Sequence, residues 1–127
     1  MKVSYEGGTK FTAETRGHKI AVDLPPEKGG TDTAMTPPEL LAASLGTCIG
    51  VYVTGYCKQA GIDCEGLTVE VASDIVKDPM RISRLHAKVR VPKGIPESRR
   101  QAVKKVASSC LIHATLCSLP ELLIELE

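Results

Sequence analysis

The stretch PPELLAASLGTCIGVYVTGYC, residues 37–57, constrains this chain more than any other. It reads as one helix, with apolar or small side chains on nearly every face between Leu40 and Tyr56. A helix that is apolar all round has to lie at the centre of its fold, covered by other elements or by another chain. Thr36 is placed to cap its N-terminus, Pro37 or Pro38 occupies a first turn where a missing N–H costs nothing, and Glu39 suits the positive end of the helix dipole. Gly61 ends it. The predicted helix has roughly 24 residues and is about 36 Å long.

The rest of the chain has to cover that helix. With 127 residues it fits one domain, residues 1–127, large enough to bury a core without staples. Sixteen Lys and Arg against 15 Asp and Glu leave a formal net charge of +1, too little to gather nucleic acid or an anionic membrane. Three Tyr, one Phe and no Trp offer no platform for stacking bases. No signal-peptide pattern opens the sequence, and its longest apolar run is broken by Thr and Gly, so a cytoplasmic protein with no membrane or nucleic-acid partner is expected.

Residues 2–23 alternate β-formers with polar residues around Gly7-Gly8 and Gly17, and predict a small antiparallel sheet. Residues 25–38, rich in Pro, Gly and Thr, predict an ordered loop or flap. After the central helix, residues 67–76 and 82–91 alternate as two strands joined through Asp78-Pro79. A second helix is expected from Pro96 to about Cys117, with ELLIELE closing the chain as a strand. The RRQAVKK run, Arg99 to Lys105, is the wet face of that second helix.

Five cysteines, at 48, 57, 64, 110 and 117, make an odd set, and their spacing contains neither CxxC nor a zinc-ribbon interval. A metal site is not expected, nor is a cofactor. Redox chemistry or plain packing is left, because a free thiol also behaves as a small hydrophobe. Cys48 and Cys57 lie nine residues apart and therefore about 180° around a straight helix, so they cannot share a site. The Cys48 face carries Leu41, Leu45, Val51 and Tyr52 as an apolar lining, with Ser44 and Gly55. Cys110 and Cys117 fall within about 20° on the second helix, with His113 one turn from Cys110. A thiol from each helix could meet in the core.

The run GHKIAVDLPPEKGGTDTAMTPPELLAASLGTC, a later strand hairpin and a second helix with a Cys-containing turn resemble the OsmC/Ohr family of bacterial thiol peroxidases. The resemblance covers nearly the whole chain. Its most specific piece is the order of strands, GG-containing loop, T-P-x-E-L-L, a Cys nine residues after that Glu, and a second Cys some 60 residues on. It implies an α+β fold in which a curved antiparallel sheet wraps on two central helices, in an intertwined homodimer with active sites at the interface. It also implies Cys48 as peroxidatic and Cys110 as resolving thiol. The hydroperoxide-specialised branch has a Glu directly after the loop proline, where this chain has Pro38, and an early-strand Arg, from which Arg16 stands one residue away. The OsmC-like branch is therefore the closer match.

Three functions are compatible with these residues. The first is a thiol-dependent peroxidase that reduces organic hydroperoxides to alcohols through a Cys48 sulfenic acid and a disulfide with Cys110, in oxidative-stress defence. A dithiol reductant such as a lipoyl protein, implied by the resemblance, would then regenerate it. Burial disfavours a thiolate, so such an enzyme needs a cation or hydrogen-bond donors; Arg16 and helix-end N–H groups are the candidates, with Arg16 preferred. The others are a non-catalytic small-molecule binding protein and a structural dimer. Cys57, Cys64 and Cys117 are expected to be inert, and His113 a satisfied histidine rather than a base.

Overall fold

Two tight turns organise the beginning of the chain. The computed structural model describes residues 1–127. It places β1 (Lys2–Gly7), β2 (Lys10–Thr15) and β3 (His18–Val22) in one antiparallel sheet, in that order. Arg16 and Gly17 alone connect β2 to β3, with φ of 50° and 80°, and Thr15 pairs with His18 across them. Two positive φ angles in a two-residue loop match the twist of the strands they join. Arg16 therefore sits at a turn, exposed, rather than on a strand face as the sequence suggested.

The register aligns Val3 with Ala13 and Ile20, and Tyr5 with Phe11 and Val22. All six thus share one face of the sheet. Tyr5 and Phe11 pack ring against ring at 5.4 Å, yet Val3, Tyr5, Phe11 and Ile20 are all exposed. This apolar face is bare in the single chain.

The loop expected between β3 and the central helix is ordered, and Asp23 is the reason. Its side chain is fully buried. One carboxylate oxygen accepts from the Thr9 hydroxyl at 2.6 Å and the Leu24 N–H at 2.8 Å. The other accepts from both the N–H and the hydroxyl of Thr31 and of Thr33, at 2.7–3.2 Å. These donors, the Thr9 hydroxyl foremost, outweigh burial and hold the carboxyl far below the usual carboxylate range. Gly30 is required by close approach, because a Cβ there would fall 1.7 Å from the Leu24 carbonyl oxygen.

Helix α1 (Pro37–Ala60) starts and stops where the sequence places it. Thr36 and Glu39 form a reciprocal cap: the Thr36 N–H and hydroxyl donate to the Glu39 carboxylate at 2.7 and 2.9 Å, and the Glu39 N–H donates back to the hydroxyl at 3.4 Å. Gly61 then turns the chain at φ 67°.

The chain divides into two compact units, Met1–Leu41 and Ala42–Glu127. In the second, Leu45, Gly46, Ile49, Val53 and Cys57 form the buried stripe of α1. Strands β4 (Thr68–Lys77) and β5 (Met80–Arg90) pair antiparallel. Val69 and Val71 of β4, with Leu85, Ala87 and Val89 of β5, pack on the stripe. Gly46 makes room for this, since a Cβ there would meet the Val71 methyl at 3.1 Å. By length and composition α1 would suit a bilayer, with a mean hydropathy of 1.5, but its stripe is occupied by the sheet. Its other side leaves Val51 and Tyr52 exposed.

Two expectations need correction. The single second helix is two: α2 (Glu97–Ser108) and α3 (Leu111–Cys117). The Ser109 hydroxyl donates to the Val106 carbonyl, and Cys110 takes an extended backbone, ψ 149°, as the N-cap of α3. Short polar side chains that bond the local backbone compete with the helix, so Cys110 and Cys117 do not share one helical face. The ELLIELE segment forms no strand either: residues 118–127 have no regular structure, and Leu119, Leu122, Leu123, Ile124 and Leu126 are exposed. With two antiparallel sheets and three helices, the fold is α+β.

A candidate dithiol site

Cys48 lies between Leu45 and Ile49 on α1, half-buried against the core. Cys110, at the break between α2 and α3, is fully buried in the same cluster. The break brings the two together, because only a residue outside the regular helix can turn its side chain back to cap the next one. The Cys110 and Cys48 side chains are neighbours in that cluster. The Cys110 sulfur accepts the His113 N–H at 3.4 Å. Burial pushes the Cys110 thiol up, with the Cys48 contact acting the same way, while the N–H groups of His113 and Ile112 partly offset both. Burial thus favours the protonated form of Cys110.

A cavity of about 400 Å³ lies beside this pair, between α1, β5 and α2. Leu45, Ile49, Leu85, Ala87, Val89 and Val103 supply its apolar wall, and Arg100, Lys104 and His113 its polar edge. Neither cysteine lines it. Of the substrate-binding residues expected from the sequence, Leu45 belongs to this wall, whereas Leu41 and Tyr52 are exposed on α1 and do not. The contribution of β5 and α2 was missed, although the alternation of Leu85, Ala87 and Val89 was visible as a strand face.

Arg16 occupies the β2–β3 turn and forms no ion pair. His113 is tied locally, with its ring 3.8 Å from the Cys117 sulfur one turn on. Cys57 is buried at the other end of the α1 stripe and contacts Cys64 rather than Cys48. No cluster of three or more His, Cys, Asp or Glu side chains could hold a metal ion.

Comparison with known proteins places this geometry. A crystal structure from Psychrobacter arcticus 273-4, described as an osmotic stress induced and detoxification response protein, is similar with a TM-score of 0.84 and 26% identity, over 90% of this chain and 85% of that one. An organic hydroperoxide resistance protein OsmC from Legionella pneumophila is similar at TM-score 0.64 and 23% identity, over 92% and 87% of the two chains. An organic hydroperoxide resistance protein from Elizabethkingia anophelis gives 0.61 and 23%, over 90% and 84%. Among the curated proteins none matches. The family model described as OsmC-like protein matches residues 30–124, which include both Cys48 and Cys110, and the chain belongs to that family.

Proposed function

We propose that this chain, as one OsmC-like domain, is a thiol-dependent peroxidase that reduces organic hydroperoxides to alcohols in defence against oxidative stress. The observation that carries the reading is that Cys48 and Cys110 pack into one buried cluster as neighbours. Structural relatives described as organic hydroperoxide resistance proteins point the same way.

Cys48 as thiolate attacks the distal oxygen of ROOH; the O–O bond breaks, ROH leaves, and Cys48 becomes a sulfenic acid. Cys110 then attacks the Cys48 sulfur, water departs, and a disulfide forms. Two electrons and two protons have passed from the thiols to the peroxide. An external dithiol, in the manner of a lipoyl group, returns them by exchange.

Arg16 is assigned as the cation that favours the thiolate. Its φ of 50° is a conformation that costs a non-glycine residue about 1 kcal/mol. A homodimer is part of the proposal: it would cover the bare face of the three-stranded sheet and the exposed side of α1, both too apolar to be left to water.

The cavity with its apolar wall also fits the alternative of a small-molecule binding protein without turnover. Titrating free thiols before and after one equivalent of cumene hydroperoxide separates the two. Loss of Cys48 and Cys110 together, linked in one peptide pair, is expected for the peroxidase. Retention of both thiols would leave only binding.

A further inference from the structure

Four of the five cysteines stand in two contacting pairs, and the reaction above uses only one. Cys57 closes the buried stripe of α1 with no exposed surface. Cys64, half-buried in the connector that leads to β4, packs on the same cluster as a neighbour of Cys57. The backbone holds them there. Gly61 reverses the chain in the left-handed conformation, the Ile62 N–H donates to the Cys57 carbonyl at 2.9 Å, and the Leu67 N–H donates to the Cys64 carbonyl at 3.0 Å. Asp63, between them, is fixed by accepting the Glu65 N–H at 2.9 Å and by pairing with Lys93. A metal is excluded as the reason for the pair, because no third ligand joins it.

We propose that Cys57 and Cys64 are a second redox-active dithiol, which closes an intrachain disulfide by exchange with a low-molecular-weight disulfide. This rests on the packing at the end of α1 and stands or falls independently of the peroxidase reading. Cys64, the more accessible thiol, enters first: as thiolate it attacks R–S–S–R, forms the mixed disulfide and releases RS⁻. Cys57, giving up its proton to solvent, then attacks the Cys64 sulfur and displaces the second RS⁻. Two electrons leave the protein and two RSH are formed.

Burial, with Cys64 adding to it, pushes Cys57 up to about 11. The second step therefore quickens as the pH rises toward that value. The closed form ties the last turn of α1 to the start of β4. Val69 and Val71 of β4 pack against Gly50 and Gly46, on either side of Cys48 in sequence.

The test uses full-length protein in which Cys48, Cys110 and Cys117 are replaced by Ser, so that only the pair is left. After incubation with excess oxidised glutathione, its intact mass should fall by two hydrogens. Digestion with trypsin, which cuts after Lys58 between the two cysteines, should give their two peptides as a linked product, and the thermal midpoint should rise by several degrees. The wild-type chain, oxidised in the same way and fragmented by mass spectrometry, covers the case in which the triple variant does not fold. Two free thiols after prolonged oxidation, or a persistent glutathione adduct on Cys64 alone, would overturn the proposal.

Discussion

Cys110→Ser and Cys110→Ala should differ in stability while behaving alike toward peroxide. Cys110 is the N-cap of α3, with φ −64° and ψ 149°, and its sulfur accepts the His113 N–H at 3.4 Å. Serine is among the preferred N-cap residues and its oxygen is a better acceptor than sulfur. The Ser variant therefore keeps the cap at this buried position. Alanine leaves the N–H without its partner, which at an N-cap costs about 1 kcal/mol. A melting entropy of roughly 2.1 cal/mol/K per residue, over 127 residues, makes that a difference of about 4 °C between the two variants. Scanning calorimetry at matched protein concentration reads it, since assembly also shifts the midpoint. Toward peroxide both variants should stop after one equivalent, with a Cys48 sulfenic acid that a 1,3-dicarbonyl reagent traps. Equal midpoints would refute the capping argument. A Cys48 disulfide formed without Cys110 would refute its assignment as resolving thiol.

Four further outcomes are expected. Asp23→Asn should lower the thermal midpoint by more than about 5 °C at pH 7, because buried donors lose an ionised acceptor. Asp23 also titrates below its unfolded value, so its contribution is full above about pH 4 and is lost as the pH falls further; the gap between wild type and variant should narrow in acid, and a constant gap would contradict this. Gly30→Ala should destabilise the 24–33 loop, seen as faster proteolysis there, since its Cβ has no room beside Leu24. Arg16→Met should slow alkylation of Cys48 by iodoacetamide at pH 7 by about tenfold if the guanidinium favours the thiolate, whereas Glu39→Gln should not, because Glu39 serves the Thr36 cap. Val51→Glu, on the side of α1 that is 67% exposed in the single chain, should convert a dimer to monomer in sedimentation; an unchanged mass would remove α1 from the interface.

The elements that could be read from sequence were those fixed by local chemistry. Thr36, Pro37 and Gly61 mark the limits of α1 through groups only a few residues away, and the alternation in 67–91 marks a hairpin. The break at Ser109 is less legible, because serine and cysteine are ordinary inside a helix and only their bonds to Val106 and His113 end it. Asp23 carried no signal in the chain: its six donors come from Thr9, Leu24, Thr31 and Thr33, which no spacing rule connects. The stripe on α1 shows the limit of periodicity. With apolar residues all round, the sequence could say that the helix is central but not that Leu45, Ile49, Val53 and Cys57 face the sheet. In the dithiol, the family resemblance paired Cys48 with Cys110; helical angles alone left other partners for Cys48 open.

The helix break also bears on which thiol attacks. On a continuous helix Cys110 and Cys48 would have been equivalent candidates, two half-buried sulfurs facing each other. As the cap of α3, Cys110 is instead wholly buried and bonded to backbone N–H groups, and burial keeps it protonated. A protonated thiol is a poor nucleophile toward peroxide, so in the proposed reaction Cys110 is left for the second step. In the proposed reaction the roles shift once Cys48 carries an oxygen. The departing hydroxide needs a proton, the Cys110 thiol is placed to give one, and the His113 and Ile112 N–H groups stabilise the thiolate left behind. In the proposed reaction, the burial that disfavours Cys110 as first nucleophile suits it to the second step, an order set by its place at the end of a helix.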